Sequence, residues 1–129
     1  EMAVEEFIRC ESPVPRGVRR AKKTFQIDGR QIEQDQTVIL LIGAANHDPA
    51  RFPEPHRLDI KRTPNQHVGF GRGPHFCIGA PLARLEAQIA LLEIARRVST
   101  LRPLTDHPQW TTNMGLRSLA ELPLEIDVA

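Results

Sequence analysis

The stretch FGRGPHFCIGAPLARLE, Phe70–Glu86, sets three glycines, two prolines and one cysteine in front of a strongly helical run. A thiol just before a helix lies near unpaired backbone N–H groups and the positive end of the helix dipole. Both favour the thiolate, the form that binds metal. Gly71 and Gly73 permit left-handed turns, and Gly79 lets backbone approach something bulky. Phe70 and Phe76 flank the loop and are expected to keep water from the Cys77 sulfur. These features describe a shielded, pre-formed thiolate ligand; a buried structural cysteine fits them as well.

Other chemistries fail on counting or geometry. Structural zinc wants four ligands, usually in close Cys or His pairs. Here no C-x-x-C exists, and His47, His56, His67 and His107 are scattered. His75 and Cys77 share a face of an extended loop, but no orienting acid accompanies them as a catalytic pair requires. The loop also lacks the Gly-Lys-Ser/Thr ending of a phosphate-binding loop.

Outward from this loop the pattern is mixed α and β. Pro81 to Val98 reads as a helix, with Leu82, Leu85, Ile89 and Leu92 on one face and a Glu93–Arg97 pair at i,i+4. Pro81 suits its first turn. Arg84, Gln88 and Arg96 fall outside the apolar face. At the other end, Ala3, Val4, Phe7 and Ile8 form a second helical stripe, closed by Pro13 and Pro15. TFQIDGRQI, Thr24 to Ile32, is a hairpin turning at Asp28-Gly29. Thr37 to Ala45 reads as a strand covered on both faces. Asn46 to Asn65, with four prolines, is an ordered meander, and Met114 to Val128 reads as two short strands around Leu122-Pro123.

Composition bounds the function classes. The chain has 129 residues, 40% hydrophobic and 26% charged, with a net charge of +1. That is ordinary for a globular domain and offers no electrostatic attraction to nucleic acid or an anionic membrane. No apolar run approaches a membrane span, and no signal peptide is evident. Two cysteines make no disulfide framework, so a reducing cytoplasm is the expected compartment. The chain does not begin with Met, and nothing before the first helix supplies an N-terminus for it.

F-G-R-G-P-H-F-C-I-G closely resembles the haem-ligand loop of the cytochrome P-450 family, the haem-thiolate monooxygenases. Phe70, Gly71, Gly73, His75, Cys77 and Gly79 fill every fixed position of Phe-Gly-x-Gly-x-(His/Arg)-x-Cys-x-Gly. Glu6-Phe7-Ile8-Arg9 is similar to the family's Glu-x-x-Arg. Ala44 to Pro49, with Phe52-Pro53 and Arg57-Leu58-Asp59, is similar to the meander signatures of soluble bacterial members. The resemblance runs from residue 3 to the end. It implies an α+β fold, the C-terminal haem-binding part of a P-450 domain over residues 1–129: K helix, small β-sheet, meander, ligand loop and long L helix.

The resemblance also implies roles. Cys77 would be the axial thiolate on the iron of haem b, its electron donation favouring O–O cleavage. Backbone N–H groups of Gly79 and Ala80 would hydrogen-bond the sulfur. Phe70 would stack beside the porphyrin, with Gly71 shaping the turn. His75 and Arg19 would bind the propionates; Arg16 or Arg20 is the alternative for Arg19, and an exposed charge is the plain reading. Glu6, Arg9 and Arg57 would form a buried structural network, since a carboxylate removed from water needs several close donors. Val14, Val18 and Leu116 would lie near substrate, or simply in the core.

Oxygen activation also needs a distal helix with an acid and a threonine. No Ala-Gly-x-x-Thr occurs here, so residues 1–129 resemble about the last third of a member, with the oxygen-activating I helix and the rest of the N-terminal two-thirds absent. Two readings follow. One is a fragment of a monooxygenase that oxidises a small organic substrate with electrons from a ferredoxin-type donor, with Arg72 and Arg84 attracting that acidic carrier unless they are mere solvated charge. The other is a free-standing haem-binding or interaction protein. In either case, apolar faces of Ala3–Ile8 and Pro81–Val98 left exposed would favour oligomers.

Overall fold

A computed structural model describes residues 1–128; Ala129 lies outside them. The elements in order are α1 (Met2–Cys10), β1 (Gly17–Arg20), β2 (Phe25–Ile27), β3 (Arg30–Ile32), β4 (Thr37–Leu40), α2 (Ile42–Ala45), a 3-10 turn (Gly73–His75), α3 (Ala80–Arg97), β5 (Val98–Pro103) and β6 (Leu124–Val128). The strands form three separate antiparallel pairs: β1 with β4, β2 with β3, and β5 with β6.

The expected hairpin is present, with Phe25 opposite Ile32. Its turn residues Asp28 and Gly29 both have positive φ, +47° and +74°, as a two-residue turn matched to strand twist requires. Helix α3 is displaced by one residue from the expected span, because Val98 turns extended and opens β5. The Glu93–Arg97 pair on it closes at 2.7 Å.

Two elements differ from expectation. The apolar run Thr37–Ala45 is a strand only to Leu40 and then winds into α2, whose Gly43 N–H donates to the Pro15 carbonyl at 2.9 Å. Nor is β4 covered on both faces, since Ile39 is 55% exposed. In the tail one strand, β6, pairs with β5, which the helical pattern upstream had concealed; the other half contributes only the Trp110–Leu119 bridge.

The interior is small and polar. Val4, Ala21, Phe52 and Ala80 are its buried apolar residues, while the largest fully buried side chains are Arg9, Glu6 and Asn46. On α1, Val4 is buried and Phe7 exposed. On α3, Leu82, Leu85, Ile89 and Leu92 all face out. Among the described residues no helix is long and apolar enough to cross a membrane.

Candidate functional site

The Cys77 loop is built from backbone. Gly71 N–H donates to the Val68 carbonyl at 2.8 Å, and Gly71 and Gly73 take the left-handed φ values of +76° and +74°. A side chain at either position would strain the turn. The 3-10 turn then closes through Phe76 N–H to the Gly73 carbonyl, and Cys77 N–H returns to the Phe70 carbonyl, each at 3.0 Å. Gly79 stands at the start of α3, and a Cβ added there would lie 3.8 Å from the Cys77 sulfur. The thiol therefore rests against the start of the helix.

Two expectations for this loop change. The sulfur is not shielded: Cys77 is exposed, as are Phe76 and, at 99%, Ile78. Phe76 packs edge-on against Phe70, 6.3 Å between ring centres, and leaves the thiol uncovered. The Ala80 N–H, in turn, donates to the Cys77 carbonyl at 3.2 Å rather than to its sulfur.

Beneath the loop lies the ionic network. Arg9 Nε and Nη2 donate to the two Glu6 oxygens, each at 2.8 Å, and both side chains are completely buried. Arg9 Nη1 donates to the Asn46 and Pro55 carbonyls. Glu6 also accepts from the Asp59 N–H, from Arg62 Nε and from Asn65 Nδ2 at 2.9–3.1 Å. Burial alone would raise the Glu6 carboxyl, but these hydrogen bonds outweigh it and hold the group at about 2. Asn46 extends the network, bonding Ser12 Oγ through Nδ2 and the Val68 N–H through Oδ1. One cluster thus ties α1, the meander and the entrance of the thiol loop together.

Arg57 is not the third member of that cluster. Its guanidinium is two-thirds exposed and pairs with Glu54 at 3.1 Å. Arg57 offers only its carbonyl, which accepts from Arg9 and Arg62. Arg62 is the second cation, 10% exposed and 3.1 Å from Glu6.

A second cluster went unread in the sequence. Arg84, expected at the surface, donates from Nε and Nη2 to the Glu5 oxygens at 2.6 and 2.8 Å. Its guanidinium carbon lies 4.7 Å from the centre of the Phe70 ring. His67 accepts the Gly69 N–H on Nδ1 at 3.1 Å, so Nε2 carries the proton it gives to Glu5 at 3.0 Å. Burial pushes the His67 pKa down although Glu5 opposes the shift, and its hydrogen bonds with Arg84 pull Glu5 down. The available signal was a Glu beside Glu6, a His three residues before Phe70 and an Arg one turn into α3.

The remaining candidates lie at the rim. Among three nearby arginines, Arg16 donates to the Met114 carbonyl at 2.8 Å and Arg20 pairs with Asp35 at 3.0 Å. Arg19 has no acidic partner among the described residues and folds back on the Val18 carbonyl. His75, Val14, Val18 and Leu116 are all exposed or nearly so. Leu116, with Pro15 and Arg16, lines an open pocket of about 250 Å³. Arg117 N–H, donating to the Pro13 carbonyl, docks the Leu116 turn beside the Val14 segment. Among the described residues no three His, Cys, Asp or Glu side chains converge on a common point. Cys77 is a free, exposed thiol standing apart from other metal-binding side chains.

Comparison with known proteins identifies the family. The family model described as Cytochrome P450 matches residues 1–127. A biotin biosynthesis cytochrome P450 of Bacillus subtilis is 43% identical over 125 residues, 97% of this chain and 32% of that protein. The 6-deoxyerythronolide B hydroxylase of Saccharopolyspora erythraea is 40% identical over 127 residues, 97% of this chain and 31% of its own. Among solved structures, P450BioI in complex with an acyl carrier protein ligated to hexadec-9Z-enoic acid superposes with a TM-score of 0.93 at 44% identity, covering 98% of this chain and 33% of that one. The chain spans about a third of the length of the curated relatives it matches.

Proposed function

The chain belongs to the cytochrome P450 family, and on that premise we propose that it is the haem-holding C-terminal portion of a haem-thiolate monooxygenase, with Cys77 as the iron ligand. One observation carries the reading. The Cys77 thiol stands exposed on a loop fixed by two left-handed glycines and by its own N–H bond to Phe70, at the start of α3.

The residues present fit haem. A soft thiolate suits its iron, and exposed Phe76, Ile78 and Leu82 offer apolar surface beside the thiol in sequence. Among the described residues Arg19 is a cation without an acidic partner, and His75 is exposed, as two propionates require. Bound haem supplies the iron at which dioxygen is activated for insertion into an organic substrate. This chain's contribution is to hold: Cys77 as axial ligand, Phe70, Gly71, Gly79 and Ala80 in the wall beside it, His75 and Arg19 toward the carboxylates. Val14, Val18 and Leu116 would meet a small organic substrate. A ferredoxin-type protein would donate electrons, with Arg72, which has no ion-pair partner among the described residues, rather than Arg84 as the attracting cation. Two unpaired thiols suit a reducing cytoplasm.

The exposed apolar face of α3 favours a second reading, a haem-binding or interaction protein that pairs through that face. One experiment addresses both. Haemin is added to the chain, reduced and exposed to carbon monoxide. Thiolate ligation gives the red-shifted band for which the family is numbered, and Cys77→Ala removes it. A haem complex indifferent to Cys77→Ala overturns the assignment.

A further inference from the structure

We propose that Arg84 is a positioning residue for the thiol loop, acting on Cys77 through Phe70 under the control of Glu5; the inference rests on Cys77 being the ligand. Phe70 is the element on which both ends of the argument meet. Its carbonyl accepts the Cys77 N–H at 3.0 Å, and its ring lies under the Arg84 guanidinium at 4.7 Å. Glu5 fixes that guanidinium with two parallel hydrogen bonds of 2.6 and 2.8 Å. The same carboxylate accepts from His67 Nε2, and His67 Nδ1 holds the N–H of Gly69, the residue immediately before Phe70. Glu5 on α1 therefore sets the Phe70 ring through Arg84 and the Phe70 backbone through His67.

Magnitudes separate positioning from stability. The pair is partly exposed, 30% for Arg84 and 21% for Glu5, a setting in which ion pairs contribute little to folding. A planar fork can bond a carboxylate along one edge and lay its face on an aromatic ring. Lysine keeps the charge but cannot do both. The geometry is thus more demanding than stability requires, and its product is the orientation of Phe70.

Amide hydrogen exchange in the full 129-residue chain reads this directly. In Arg84→Lys the protection of the Cys77 N–H should fall about tenfold, while interior amides of α3 and the melting temperature stay near those of the parent. Arg97→Lys, altering an exposed pair on the same helix, should leave Cys77 unchanged. Unchanged Cys77 protection in a folded Arg84→Lys chain overturns the proposal, as does an equal loss of protection throughout α3, which marks a structural role. Should Arg84→Lys fail to fold, Phe70→Leu with Arg84 intact must show the same selective loss at Cys77. Haem loading tests the ligand separately. A parent chain without the thiolate carbon-monoxide band defeats the ligand assignment, whereas the exchange result concerns the Glu5–Arg84–Phe70 linkage alone.

Discussion

Arg9 grips Glu6 from three residues away on the same helix, two nitrogens on two oxygens at 2.8 Å, with neither side chain exposed at all. In a chain whose buried apolar residues are few, this pair and its satellites do the work of a core. Removing Arg9 leaves a carboxylate buried among fewer donors, at a cost of about 3–5 kcal/mol. Arg9→Ala should therefore be unfolded by circular dichroism at room temperature. A folded Arg9→Ala chain with the parent's melting curve would refute the network's role.

Arg62 and Arg57 give that idea a sharper test. Arg62→Ala removes two bonds to Glu6 and should cost ~1–3 kcal/mol. Arg57→Ala removes an exposed pair with Glu54 and should cost under ~0.5 kcal/mol. Denaturant titration of the two variants separates them. Equal losses would mean that the Arg57 side chain turns inward after all.

Acid should weaken the fold over two pH ranges. His67 has a pKa below its ordinary 6.5, so it binds protons more readily unfolded than folded, and stability falls as pH drops below about 6.5. Inside the fold it faces Glu5, which opposes the shift, and the charges of Arg84 and Arg9, which deepen it. Glu6, held at about 2 against an ordinary 4.5, adds a contribution that is complete above 4.5 and disappears between 4.5 and 2. The second step amounts to ~3 kcal/mol, and Glu5, also lowered, titrates with it. His67→Asn keeps an acceptor for the Gly69 N–H but cannot titrate, so it should flatten the upper step and spare the lower. A parent whose stability is level from neutral pH to about 5 contradicts this.

Gly69 is a packing glycine. A Cβ there would sit 2.6 Å from Ile8 Cγ2 and 3.2 Å from His67 Nδ1. Ile8 is β-branched and cannot swing that methyl aside without changing rotamer. Gly69→Ala should cost ~1–3 kcal/mol, and less in an Ile8→Ala background, where the nearest obstacle is gone. Strictly additive costs in the double-mutant cycle would show that the clash is relieved elsewhere.

What the sequence revealed depends on how far apart the partners stand. The Asp28-Gly29 turn, helix α3 and the left-handed glycines are local, set by residues within a few positions, and each is legible; the Glu6–Arg9 pair is local too, but the family resemblance, not a local pattern, points to it. The resemblance points to Arg57 where the structure has Arg62, and a meander without period gives no clue to which guanidinium turns inward. The Glu5–Arg84–His67 cluster joins three segments up to 79 residues apart, and no local pattern announces it. Strand β5 was hidden for the same reason, its partner β6 beginning at Leu124. Thr37–Ala45 misled differently: a short apolar run has no periodicity that tells strand from helix. The unshielded Cys77 reflects the same limit, since Phe70 and Phe76 flank it in sequence but pack on each other in space.

The 129-residue chain by itself should not hydroxylate any substrate. Haem has two faces, and the residues assigned here, Cys77, Phe70, His75 and Arg19, come from the thiol side. No Ala-Gly-x-x-Thr occurs to supply an acid and an alcohol on the other face, so the chain would offer no such pair for proton delivery, and water would have free access to a bound haem. Leu82, Leu85, Ile89 and Leu92 stand about half exposed along α3, and such a stripe favours self-association. Size-exclusion chromatography should find oligomers, and the haem-loaded chain supplied with ferredoxin, reductase, NAD(P)H and a substrate panel should yield no product. Product formation coupled to NAD(P)H oxidation, and lost in Cys77→Ala, would show that one face of the haem site suffices for oxygen chemistry.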